Sequence, residues 1–216
     1  MSSPAIEAQP APAEASPSRR DFIYIVTGAM AAGGAVAAAW PLIDQLAPAA
    51  DAIAGGLPVK VDISKIEPGA QITVIWRKSP IFVVRRTPAM LAQIRKPSDL
   101  KMLRDPDSTS KQQPAYAQNW SRSIDPEYLV LVGVCTHLGC TPDFEPGAGA
   151  LGPTWPGGWL CPCHGSRYDL AGRVFKSVPA PLNLPVPPYS FESPAFLLIG
   201  QNPSAQTWSM SDIATL

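Results

Sequence analysis

The sequence predicts an all-β fold, an antiparallel β sandwich carrying a small loop-bearing subdomain, preceded by one N-terminal transmembrane helix. Three observations lead there. From Leu57 onward the apolar residues fall into short segments with strand-like alternation, separated by turn residues. Ahead of them, Phe22 to Ile43 is an uncharged, mostly apolar run of about the length a helix needs to cross a bilayer. Finally, all four cysteines and both histidines of the 216 residues lie in two loops, Cys135-Thr-His-Leu-Gly-Cys140 and Cys161-Pro-Cys-His-Gly-Ser166.

Residues 1–18 are Ala/Pro/Ser-rich without apolar periodicity and read as a disordered cytoplasmic tail. Residues 19–46 combine a twin arginine, Arg19-Arg20, with the apolar run, the pattern of an export signal that also serves as an anchor. Gly28, Gly33 and Gly34, among many alanines, leave a smooth face for helix packing. Arginines before the run and Asp44 after it place the N-terminus in the cytoplasm and the rest of the chain in the periplasm, across a bacterial inner membrane. Ala47-Pro-Ala49 resembles a cleavage site, but the run is longer than an ordinary signal-peptide core, which favours an uncleaved single-pass anchor. Residues 47–57, Ala/Gly-rich from Pro48 to Gly56, read as a flexible tether.

Residues 58–216 form the soluble domain. Strands are expected at Val59 to Ile63, Gln71 to Trp76, Ile81 to Val84 after a turn at Ser79-Pro80, and Tyr128 to Val134. More are expected at Ser166 to Tyr168, Arg173 to Phe175, Tyr189 to Phe191 and Phe196 to Ile199, with a hairpin turn at Asp169 to Gly172. Pro88 opens a short helix to Ile94, and the polar, proline-broken stretch to Asp125 reads as an ordered insertion lying on the sheet. Residues 146–158 read as an exposed Gly/Pro-rich excursion. The loop-bearing subdomain spans about 134–182.

Lys+Arg and Asp+Glu are equal at 17 each, so nothing argues for nucleic acid or an acidic substrate. The two loops carry the chemistry. Cys135, His137 and Cys140 face Cys161, Cys163 and His164, and thiolates with imidazoles suit zinc or iron rather than calcium or magnesium. A structural zinc site needs four such ligands and usually shows C-x2-C or H-x3-H steps. Here the steps are C-x-H and C-x2-H, with a spare cysteine in each loop.

These loops resemble those of the Rieske iron–sulfur proteins, where two cysteines hold one iron and two histidines the other. The resemblance is specific in the loops and extends loosely from Arg19 to Gly200. It implies a Rieske-type β sandwich with one [2Fe-2S] cluster per chain, bound by Cys135 and Cys161 on one iron and His137 and His164 on the other. Cys140 and Cys163 then form the disulfide that marks the Rieske subunit of the cytochrome bc complex. Ser166 and Tyr168 occupy the family's Gly-Ser-x-Tyr pattern, in which the hydroxyls bond a bridging sulfide and a cysteine sulfur, here Cys135. Leu138 covers the cluster, and Val178-Pro-Ala-Pro181 resembles the family's third loop with valine where glycine is usual, which puts the close backbone approach in question.

Formal charge explains the histidines. Two ferric ions, two sulfides and two thiolates sum to zero, so reduction produces only a monoanion, and the potential rises relative to four-thiolate clusters. A neutral imidazole also keeps a second nitrogen able to accept a proton. The implied function is the electron-transfer subunit of a respiratory quinol–cytochrome c reductase, a translocase. It oxidises ubiquinol through His137 and His164 and passes the electron to a c-type cytochrome. The implied partners are a cytochrome b subunit and a c-type cytochrome subunit in a dimeric membrane complex. Two other readings are a Rieske small subunit of a periplasmic oxidase, such as arsenite oxidase, and a zinc-stabilised binding module without turnover.

Overall fold

The computed structural model describes residues 18–47 and 56–214, which fall into two compact units divided between Ala49 and Ala50. In the first unit a single helix, α1 (Arg19–Asp44), runs 26 residues, about 39 Å at 1.5 Å per residue. Ser18 is its N-cap rather than the end of a tail. Its hydroxyl accepts from Asp21 N–H while its own N–H donates to the Asp21 carboxylate, a reciprocal capping box. The remaining tail, 1–17, and tether residues 48–55 lie outside the described residues.

Among the described residues, the second unit is built from nine strands in three antiparallel three-stranded sheets. One sheet orders β1 (Val59–Asp62), β9 (Phe196–Ile199) and β8 (Tyr189–Ser193); another orders β2 (Gln71–Trp76), β3 (Ser79–Arg85) and β4 (Tyr128–Val132). The third, smaller sheet orders β5 (Asp143–Glu145), β6 (Gly158–Leu160) and β7 (Arg167–Asp169) and carries the metal loops. β3 is the central strand of its sheet, and Ile81 to Val84 are buried without interruption, as a strand covered on both faces requires. Stacked rings of Phe82 and Trp159, 6.2 Å between centroids, join this sheet to the small one. The Trp159 indole N–H donates to Gln71 at 2.8 Å, so the small sheet is both packed against and hydrogen-bonded to the β2–β3–β4 sheet.

Most expected strands are present, with four corrections. The β2–β3 turn is Arg77-Lys78, both at positive φ, and Pro80 lies inside β3. The Pro80 carbonyl accepts from Gly133 N–H at 2.8 Å, beyond the last β3–β4 pair Ile81–Val132, so its missing N–H removes nothing from the ladder. Arg173 to Phe175 makes only isolated bridges, because Asp169 Oδ1 takes the Arg173 N–H and Asn183 Oδ1 takes that of Val174. β5 and β6 were not expected. The 146–158 excursion is exposed over its first part, but Trp155 is buried against Phe175 and its end becomes β6. Helix α2 (Pro88–Gln93) forms as expected, capped by Thr87, and the insertion after it contains α3 (Pro97–Leu100) and a 3-10 turn at Ala115–Ala117.

Candidate metal centre

Each metal loop leaves a strand of the base or of the small sheet and closes on itself in the same way. In the first, Cys135 N–H donates to Cys140 O and Gly139 N–H to Cys135 O; in the second, Cys161 N–H donates to Ser166 O and Gly165 N–H to Cys161 O. The two loops are therefore copies of one turn, each with its fifth residue a glycine at positive φ, Gly139 at 85° and Gly165 at 72°. No atom crowds either position, so the glycines are required by backbone conformation and not by space.

The turns bring the six expected residues together. Cys140 and Cys163 form a disulfide across 23 residues. Cys135 and Cys161 remain free, and both are buried. Burial pushes the Cys161 thiol up, backbone N–H groups of Cys163 and His164 pull it down, and the neighbouring Cys135 thiol pushes it up again. The His137 and His164 rings meet edge to face with centroids 4.8 Å apart. His137 is half-buried and His164 exposed. The His137 Nδ1 is buried and has no hydrogen-bond partner among the described residues. An orphaned imidazole nitrogen beside two buried free thiols is the donor set of a metal centre, because burial of an unpaired acceptor otherwise costs stability. Cys161 also lies within 4.8 Å of both disulfide sulfurs, but those sulfurs are already bonded and offer no thiolate. Two sulfurs and two nitrogens fit either one zinc or a pair of irons.

Around the thiols sit the two expected hydroxyls. Tyr168, fully buried on β7, places its oxygen 3.2 Å from Cys135 Sγ and 3.2 Å from Thr136 Oγ1, and it accepts from Thr136 N–H at 3.1 Å. The Thr136 hydroxyl donates to Leu182 O at 2.7 Å, so its oxygen can only accept from Tyr168, and the single phenol proton goes either to Thr136 Oγ1 or to Cys135 Sγ, of which a metal-bound thiolate is the stronger acceptor. Burial, followed by the Cys135 neighbour, pushes the Tyr168 phenol well above its ordinary value, which keeps that proton in place. Ser166, also buried, accepts from Ala180 N–H at 3.0 Å, and its own proton is used in no hydrogen bond among the described residues.

The third loop is thus held from both sides, by Ser166 and by Thr136. Arg104 adds a third tie, donating to Val178 O at 3.2 Å and to Pro181 O at 3.4 Å. Sequence reasoning missed Thr136 and Arg104; only the position of Thr136, between two metal-type residues, offered a signal. Val178 is buried, so the side chain standing where glycine is usual points into the protein. Leu138 is 71% exposed at the tip of the first loop. Beside that loop lies an open groove of about 660 Å³ walled by Val134, Thr136, His137, Pro181, Leu182 and Ile213.

Comparison with known proteins decides between the metals. Residues 93–188 match the Rieske [2Fe-2S] domain, and residues 10–49 match the ubiquitinol-cytochrome C reductase Fe-S subunit TAT signal. The chain is 49% identical over 186 residues to the ubiquinol-cytochrome c reductase iron-sulfur subunit of Allochromatium vinosum, covering 85% of this chain and 89% of the relative. It is 45% identical over 183 residues to the subunit of the same name from Rhodospirillum rubrum, covering 85% and 92%. Among solved structures, a chain of a hyperthermophilic respiratory complex III aligns over 81% of this chain and 99% of its own length at 27% identity, with a TM-score of 0.45. The chain belongs to the family of ubiquinol-cytochrome c reductase iron-sulfur subunits, and its cofactor is a Rieske [2Fe-2S] cluster.

Proposed function

We propose that Cys135 and Cys161 hold the cluster through sulfur, and His137 and His164 through ring nitrogens, with the Cys140–Cys163 disulfide bracing the two loops. The observation that carries this is the His137 Nδ1, buried and unpartnered beside two buried free thiols. A histidine bound through Nδ1 directs its other nitrogen away from the cluster, where it is available to substrate.

We further propose that the protein is the electron-transfer subunit of a membrane quinol–cytochrome c oxidoreductase and translocase, with ubiquinol as donor and a c-type cytochrome as acceptor. The names of its relatives support this over the periplasmic-oxidase reading. When bound, the cluster supplies a one-electron acceptor. The chain's own part is positioning and proton handling. His164, exposed, and His137, half-buried, present their outer nitrogens at the loop tip, and Leu138 beside them offers an apolar contact for a quinol ring. With the cluster bound as electron acceptor, the outer imidazole nitrogen would accept the quinol's hydroxyl proton. With the cluster bound, Tyr168 would donate to Cys135 Sγ and Ser166 would have a proton to donate toward the cluster, and both bonds would favour the more negative, reduced form. The expected assembly is a dimeric complex with a cytochrome b subunit, anchored by 19–46 with the N-terminus cytoplasmic and 58–216 periplasmic.

Purified full-length protein should contain iron and acid-labile sulfide in equal amounts, about two of each per chain, and give the Rieske EPR signal on reduction with dithionite. Cys161→Ser should abolish both. Stoichiometric zinc without labile sulfide, in protein matured in a bacterial host, would overturn the assignment.

A further inference from the structure

Among the described residues, the buried charged side chains are Arg86, Arg122 and Arg173 with a single carboxylate, Asp169. Asp169 is committed to Arg173, which donates to it from Nε at 2.8 Å and from Nη2 at 2.6 Å. Arg86 and Arg122 therefore have no buried counter-charge of their own. Arg86 donates instead to Pro126 O, Ser121 O, Ser123 Oγ and, at 3.5 Å, Leu170 O. Arg122, fully buried, donates to Ala171 O at 2.9 Å, Gly172 O at 3.2 Å, Leu184 O at 2.8 Å and Gln113 Oε1 at 3.0 Å, and its Nε has no partner. Burial pushes Arg86 down to about 10 and Arg122 down to about 9, so both stay charged at neutral pH.

A buried charge without an opposite partner is costly, and neutral donors would tie carbonyls together at less cost. Arg122 takes the Ala171 and Gly172 carbonyls of the turn that follows Tyr168, and Arg86 reaches the same turn through Leu170 O at 3.5 Å. Ala171 is three positions on from Tyr168, so their Cα atoms are at most about 11 Å apart. On the other side, Leu184 lies two residues beyond Leu182, whose carbonyl takes the Thr136 hydroxyl. The Arg122 guanidinium thus bridges the segments that follow Tyr168 and Leu182, and both guanidinium groups are buried in protein where salt does not screen them.

We infer that Arg86 and Arg122 are positioning residues that lock the turn after Tyr168 and whose uncompensated positive charge raises the reduction potential of the cluster. This rests on the ligand assignment proposed above. Reduction adds one negative charge to the cluster, and two unscreened positive charges stabilise that state over the oxidised one. The hydroxyls of Ser166 and Tyr168 then act on a field already biased toward reduction.

The test uses full-length holoprotein and reads the potential by redox titration alongside the EPR spectrum. Arg122→Met and Arg86→Met should each lower the equilibrium constant for reduction at least threefold, roughly 28 mV for a one-electron couple. Arg122→Lys, which keeps the charge, should fall by less. Asp169→Asn removes the lone buried carboxylate and should shift the potential upward. Loosened packing alone would move all the variants the same way, so opposite signs distinguish charge from structure. If Arg122→Met does not accumulate with its cluster, Arg86→Met and Asp169→Asn decide by their signs. The exposed Arg77→Gln serves as a control and should leave the potential unchanged. Unchanged potentials, or shifts of one sign, in variants with a wild-type EPR signal overturn the inference. Absence of that signal in the wild type would instead overturn the ligand assignment.

Discussion

Removing the Tyr168 hydroxyl, as Tyr168→Phe, should lower the reduction potential and destabilise the fold, by two separable effects. The phenol lies 3.2 Å from Cys135 Sγ and is the only hydroxyl placed to donate to that sulfur among the described residues. A hydrogen bond contributes about 0.5–1.5 kcal/mol net. At roughly 1.4 kcal/mol per 59 mV for one electron, its loss lowers the potential by about 20–65 mV. The second effect is on stability. The same oxygen accepts from Thr136 N–H at 3.1 Å, and phenylalanine leaves that donor without its partner. An unsatisfied donor of this kind costs about 1–3 kcal/mol. Redox titration by EPR measures the first effect, and thermal unfolding of the oxidised protein measures the second. A variant that melts lower but keeps the wild-type potential would show that the phenol holds only the Thr136 backbone and donates nothing to sulfur.

Ser166→Ala should also lower the potential by tens of millivolts, about the worth of one hydrogen bond. It should also loosen the third loop, because Ala180 N–H loses its acceptor; faster hydrogen exchange at Ala180 would report this. Cys140→Ser opens a loop of 23 residues, which the chain-entropy account values at about 3 kcal/mol, measurable as a lower denaturation midpoint. Gly172→Ala places a methyl 2.6 Å from Leu131 and demands φ +73°, so chemical denaturation should show a loss of about 2–4 kcal/mol.

The centre was legible because its chemistry is rare in this chain. Cysteine and histidine occur nowhere else, so their spacing stands out against a background without competing ligands. Strands such as Gln71–Trp76 were legible because alternation over six residues fixes both period and face. β5 and β6 were not, since three residues each cannot display a period, and Gly158 discourages a strand reading. The β2–β3 turn was misplaced for a related reason. A two-residue turn with both residues at positive φ normally announces itself as Asn-Gly, and Arg77-Lys78 carries no such signal, whereas the nearby proline does. Burial of Arg86 and Arg122 was invisible for another: arginine is usually a surface residue, and only tertiary contacts with backbone carbonyls pay for enclosing it.

The two loops share one hydrogen-bond pattern, yet their histidines are not equivalent: His137 stands third in its turn and His164 fourth, and their surroundings differ as well. Thr136, next to His137, is tied to Leu182 O, which draws the first loop against the third. Pro181 and Leu182 then wall the groove that His137 lines, leaving that ring half-buried. In the second loop the equivalent residue is Pro162, which has no hydroxyl, and it is exposed along with Cys163 and His164. An imidazole that must reach into a partner's quinol pocket needs a free edge, whereas one that anchors iron needs a fixed orientation. The quinol contact proposed above therefore falls first on His164, the more exposed of the two rings. One duplicated turn supplies two different histidine environments because the histidines stand at different positions in it and Leu182 O ties down the residue beside His137 only.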